Sequence, residues 1–122
     1  DYSYLSIRKA GDKFILQQAV CKDAERQNPE QVKELASIPV EYLKMPGVAD
    51  NEWKTVYLRV KVRRGAVCTF AYSLDGKKYT TVGEAFTARQ GKWIGAKVGI
   101  FCVTPNEGNR GWADIDWFRM TK

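Results

Sequence analysis

Histidine is absent from all 122 residues, and that absence removes a large share of enzyme chemistry. Without an imidazole there is no common general base near neutral pH, no serine or cysteine triad of the usual kind and no ordinary zinc hydrolase centre. Cysteine is scarce, at three, and Cys21, Cys68 and Cys102 form no CxxC pair that would mark a zinc or dithiol site. Each lies in an apolar stretch, AVCK, AVCTF or IFCV, so all three are expected as buried free thiols that pack as small hydrophobes. One disulfide between two of them stays open and would go with an oxidising compartment. Gly91-Lys92 is followed by Trp93 and not by the hydroxyl residue of a phosphate loop, and no dinucleotide fingerprint occurs. No apolar run approaches the roughly 18 residues of a membrane span. No charged start leads into a hydrophobic segment and cleavage site, so a secretion signal is expected to lie upstream or to have been removed. Internal repeats, low-complexity tracts and domain linkers are also missing.

What is present is a folded, β-rich composition: 44% hydrophobic and 12% aromatic residues, with many β-branched and aromatic side chains. A chain of this length buries about two thirds of its unfolded surface as a single domain, here residues 1–122. Turn residues predict strands over Tyr2 to Arg8, Lys13 to Cys21, Leu35 to Val40, Thr55 to Arg63, Val67 to Leu74, Tyr79 to Phe86, Ile94 to Val103 and Trp112 to Met120. Ala10-Gly11-Asp12 and the two-residue turn Asp75-Gly76 predict hairpins. Short strands at regular spacing predict an all-β antiparallel sandwich or barrel. Asp23 to Leu35 reads as a polar loop in which Asn28 can cap a helical turn begun by Pro29, and Met45 to Trp53 reads as a second loop.

The net charge is +6 and the pI about 9.3, with the charges spread along the chain. One compact cluster stands out. In VYLRVKVRR, Val56, Leu58, Val60 and Val62 alternate with Tyr57, Arg59, Lys61 and Arg63, so one strand face is a basic stripe reaching Arg64. It reads first as a solvated face or edge that charge protects against pairing, and second as a surface for nucleic acid or acidic glycan.

The last quarter alternates most clearly. Ile94, Ala96, Val98, Ile100 and Cys102 share one face; after a polar break, Ala113, Ile115 and Trp117 share another, with Trp117 assigned to the core. Asp114 and Asp116 lie together on the opposite face, roughly 6.5 to 7 Å apart at the backbone. They read as partners of Lys97 across the sheet; a calcium site is the lesser alternative, and a catalytic pair the least favoured. Sugar binding needs aromatic surface beside planar polar groups. The candidates are Trp93, Trp112, Arg110 and Tyr2, with Trp53, Asn51, Arg89 and Asn109 of similar character. For the tryptophans packing is read ahead of ligand binding.

The segments WIGAKVGIFC and GWADIDWFR, with YSLDGKKYTTVGEAFTARQGKW before them and DYSYLSIRKAGDKFILQQAVCKDAE at the front, resemble the C-terminal concanavalin A-like β-sandwich of glycoside hydrolase family 43 β-xylosidases. The resemblance implies a jelly-roll sandwich whose opening strands precede Asp1, and an accessory role beside a catalytic propeller. The family's catalytic carboxylates lie in that propeller, so the resemblance places no catalytic residue and no cofactor in this chain. It implies, as partner, the propeller or a second copy at the open sandwich edge, with contact to a xylan-type plant cell-wall glycan. It also favours a periplasmic or extracellular location. A free-standing carbohydrate-binding module and a basic barrel that binds nucleic acid are the alternatives.

Overall fold

A computed structural model describes residues 1–43, 55–91, 95–104, 108 and 112–122. Among the described residues, six strands form two three-stranded antiparallel sheets, the all-β antiparallel architecture that the strand spacing predicts. The first sheet joins β1 (Tyr2–Ala10), β2 (Lys13–Cys21) and β3 (Gln31–Pro39) in chain order, and the second joins β4 (Tyr57–Arg63), β5 (Val67–Ser73) and β6 (Thr80–Thr87). A 3-10 turn, Ala24–Arg26, and one helical turn, α1 (Val40–Leu43), flank β3.

The central strands carry the core because each is covered by a neighbour on both edges. In β2, Ile15, Leu16, Ala19 and Cys21 are buried from both faces, and in β5 Phe70 is 2% exposed. The ladder between β2 and β3 shifts after Leu16, which pairs with Ala36, while Gln17 pairs with Glu34. Leu35 is therefore the extra residue of a bulge. A second shift lies between Cys68, which pairs with Phe86, and Phe70, which pairs with Val82. Gly83, inside that irregularity, has φ +70°, a left-handed conformation that costs little for glycine alone.

These two irregular places meet. Gln18, 2% exposed, reaches from β2 to the backbone of β6: its Nε2 donates to the Glu84 carbonyl at 2.9 Å, and its Oε1 accepts from the Glu84 N–H at 2.7 Å. The same Nε2 donates to Ser3 Oγ at 3.3 Å. One side-chain amide thus occupies the place of a peptide group and ties the two sheets together. Lys33 and Glu84 at 3.4 Å, and Arg89 with Asp1 and Asp23 at 2.5 and 2.8 Å, add exposed ties alongside it.

The turn between β5 and β6 is longer than the two residues predicted and is built by side chains. Ser73 Oγ accepts from the N–H groups of Asp75 and Gly76 and donates to Asp75 Oδ1. Asp75 Oδ1 accepts in turn from the N–H groups of Lys77 and Lys78 at 2.8 and 2.9 Å. Those two backbone bonds, then the Ser73 hydroxyl, lower the Asp75 carboxyl from 3.8 to about 2. A carboxyl whose folded pKa is depressed stabilises above its unfolded pKa and loses that contribution as pH falls through the folded one. The urea midpoint is therefore expected to carry an Asp75 component that fades between about pH 4 and about pH 2. Asp75→Asn should differ from the unmodified chain above this window and converge with it at the acid end. An unchanged difference at pH 2 would contradict the turn's bonding.

Five local expectations are corrected. Residues 95–104 and 112–122 lie within the predicted last two strands and their flanks, yet carry no strand. Extended segments gain stability from a paired edge, and these make side-chain contacts without a ladder. Trp117 is accordingly 52% exposed, 6.1 Å from the Tyr57 ring and 4.9 Å from the Arg119 guanidinium, and not in the core. Asp116 accepts from the Thr55 hydroxyl at 2.9 Å, and among the described residues Lys97 pairs with neither aspartate. Cys102 is exposed and Cys68 intermediate, so Cys21 alone is a fully buried thiol; all three are free. Asn28 caps no helix: its side chain donates to the Lys22 carbonyl, and β3 begins at Gln31, earlier than Leu35.

Candidate carbohydrate-binding face

Period-two geometry places Tyr2, Tyr4, Ser6 and Arg8 of β1 on one face. Across the ladder that face continues through Cys21, Ala19, Gln17 and Ile15 of β2, then Val32 and Glu34 of β3. Small residues opposite the tyrosines leave room for their rings to lie near the sheet.

The tyrosine rings are nearly parallel, with centroids 6.2 Å apart and planes inclined by 12°. Their hydroxyls converge on one carboxylate: Tyr2 donates to Glu30 Oε1 at 2.7 Å and Tyr4 to Oε2 at 3.0 Å. The bond to Glu30, then burial, then Cys21 push the Tyr2 phenol up; for Tyr4 burial leads and Glu30 follows. Both phenols stay protonated donors through the neutral range. Phe101 meets Tyr4 edge to face at 4.9 Å and 85°, which adds a third aromatic side chain from the far end of the sequence.

The other end of the row is polar and planar. Arg8 donates through Nε to Gln17 Oε1 at 3.5 Å and through Nη2 to Glu34 Oε1 at 3.3 Å. Between the two groups Ser6 Oγ is sealed from solvent and has no hydrogen-bond partner among the described residues. An aromatic group beside planar donors and acceptors in one row suits a saccharide. Glu30 and Glu34 are each engaged by donors of the row, which holds the side chains in place.

A cleft of about 540 Å³ opens beside Gln18, walled by Val20 and Phe86 and bordered by Lys33, Glu84 and Arg89. The ion pairs that tie the sheets consume those charges.

Of the residues singled out in the sequence, Tyr2 belongs to the aromatic row and is 40% exposed. Trp112 is 78% exposed and makes no ring contact with the row among the described residues. Trp93 and Arg110 lie outside the described residues, as do Trp53, Asn51 and Asn109. Asp114 and Asp116 are described, and no group of three acids or thiols that could hold a metal occurs among the described residues. Sequence reasoning missed Tyr4, Ser6, Arg8 and Glu30. The alternation of YSYLSIR carries the first three, whereas nothing local points to Glu30, which precedes β3 on the far side of β2 and whose side chain meets the two tyrosines.

Comparison with known proteins bears on the fold. A beta-xylosidase of Formosa agariphila is 36% identical over 63 residues, which are 52% of this chain and 10% of that protein, so the chain spans about a tenth of that relative's length. No solved structure matches the chain. The family model for the beta-xylosidase C-terminal concanavalin A-like domain matches residues 1–121, and with two antiparallel sheets as its body the chain belongs to that domain family.

Proposed function

We propose that the chain is a non-catalytic accessory sandwich of a xylan-degrading glycoside hydrolase, of the β-xylosidase or arabinofuranosidase type. In this reading it supports a catalytic propeller and touches the glycan through the Tyr2–Arg8 row. The observation that carries the accessory role is the family match over residues 1–121, joined by the absence of histidine. Glycan contact draws support from the aromatic and planar groups of β1. The surface that a propeller would cover is suggested by exposed apolar side chains, among them Val98, Val103, Ile115, Phe118 and Met120. Large apolar areas of this kind mark association, and a second copy of the chain would meet the same chemistry.

Calorimetric titration with xylohexaose tests the glycan contact. Weak binding is expected, and Tyr2→Ala and Tyr4→Ala should each weaken it about fivefold or more, the usual loss of a central aromatic anchor. The purified chain should release no 4-nitrophenol from its β-xyloside. Absence of heat at millimolar sugar would remove the glycan contact, and turnover of the aryl xyloside would remove the non-catalytic role.

A further inference from the structure

We infer that the outward face of β4 binds the carboxylate groups of an acidic polysaccharide. This rests on the reading of the domain as glycan-directed, and is independent of the tyrosine row.

In β4 the apolar Leu58, Val60 and Val62 pair across to Tyr72, Phe70 and Cys68, while Arg59, Lys61 and Arg63 pair across to Ala71, Thr69 and Val67. The second set defines the outward face, which continues onto β6 at Thr81, opposite Ala71. The cations recur every second residue, so the stripe extends roughly 13 Å along the strand, and Arg64 prolongs it into the turn.

The charges are segregated. Elsewhere Arg8, Lys33 and Arg89 each hold a carboxylate at 2.5 to 3.4 Å. Arg59, Lys61, Arg63 and Arg64 form no ion pair among the described residues. No acidic residue occupies the paired positions beside them, which are alanine, threonine and valine. Arg59 is also preset: its guanidinium carbon lies 3.4 Å from the centroid of the Tyr79 ring. Stacking of this kind fixes the plane of the guanidinium and leaves its edge to donate.

A row of unpaired cations at two-residue spacing, with no acid among its paired neighbours, fits a polymer that carries anions at intervals. The planar arginine fork matches a carboxylate with two parallel hydrogen bonds. A nucleic acid would need free rings between the cations for its bases; of the two rings on this face, Arg59 covers Tyr79, and Tyr57 lies at the end of the stripe, half-buried with the Trp117 ring 6.1 Å away. The acidic substituent of a uronate-bearing glycan is therefore the favoured occupant.

The test compares a glucuronic-acid-bearing xylan with the same polymer after its carboxyl groups are reduced, by affinity electrophoresis of the intact chain. The acidic polymer is expected to bind about tenfold more tightly at low salt, the sum of a few exposed pairs. The difference should shrink as ionic strength rises toward about 0.15 M. The combined variant Arg59→Ser, Lys61→Ser, Arg63→Ser should lose the difference and keep its affinity for the reduced polymer. Equal binding of the two polymers by the unmodified chain overturns the inference and leaves the tyrosine row standing. A preference that survives the triple variant, or one insensitive to salt, overturns it as well. Binding of neither polymer overturns it together with the glycan-directed reading. A single-stranded oligonucleotide bound as tightly as the acidic xylan replaces the glycan with a nucleic acid.

Discussion

Gly83→Ala is expected to destabilise the domain by about 3 kcal/mol, although the substitution adds one methyl group. Two independent effects add. The φ of +70° is a left-handed conformation that costs an L-residue about 1–2 kcal/mol. A Cβ at this position would also stand 2.9 Å from Gln18 Cδ, press still closer on Gln18 Oε1, and come within 3.4 Å of Leu35 Cδ1. Gln18 cannot turn aside without releasing the Glu84 N–H and carbonyl that it holds at 2.7 and 2.9 Å. Each released group that finds no water costs about 1–3 kcal/mol. Gln18→Met keeps the volume and removes both bonds, so it should reproduce much of the loss. The two positions act as a unit, and the double variant should therefore cost at least about 1 kcal/mol less than the sum of the singles. Urea unfolding at constant m-value reads all three. Additive losses would mean that the amide and the glycine do not share one contact.

The same pair shows where sequence reasoning stops. The turn residues that bound it identify β2 correctly to the residue, Lys13 to Cys21, because a central strand is apolar on both faces and ends at clear turns. Nothing local reveals that a glutamine in the middle of that strand is buried to bind another sheet. The amide's partner lies 66 residues away and accepts it through its backbone, which has no side-chain signature. Conversely, the last quarter of the chain has the cleanest period-two pattern and yet carries no strand in residues 95–104 and 112–122. Alternation states which side chains prefer a common face; it does not supply the neighbouring edge that a ladder requires. The candidate face divides in the same way. Its β1 row, Tyr2, Tyr4, Ser6 and Arg8, is written in the local pattern, whereas Glu30 and Phe101 arrive from positions that only the tertiary fold brings together.

Phe70→Ala should cost about 3 kcal/mol, at the lower end of the range for buried aromatic residues, and the reason for the lower end distinguishes the two sides of the second sheet. Phe70 is 2% exposed on the central strand, between Val60 on β4 and Val82 on β6. Its removal opens a space that neighbours on a firm lattice could not close. Here one neighbour is not firmly held: Val60 is 44% exposed, and Val62 beside it 60%. They can settle into part of the space, which limits the residual cavity. The corollary is that Val62→Ala should cost less than about 0.5 kcal/mol, as exposed positions do. A small loss for Val62 with a large one for Phe70 places the boundary of the core between β5 and β4. If Val62→Ala instead costs as much as a core truncation, and does so more strongly at high protein concentration, the apolar side of β4 is covered in solution by another copy of the chain, since association shifts apparent stability by mass action. A loss below 1 kcal/mol for Phe70→Ala would contradict its place at the centre of the packed sheet, whatever the behaviour of β4.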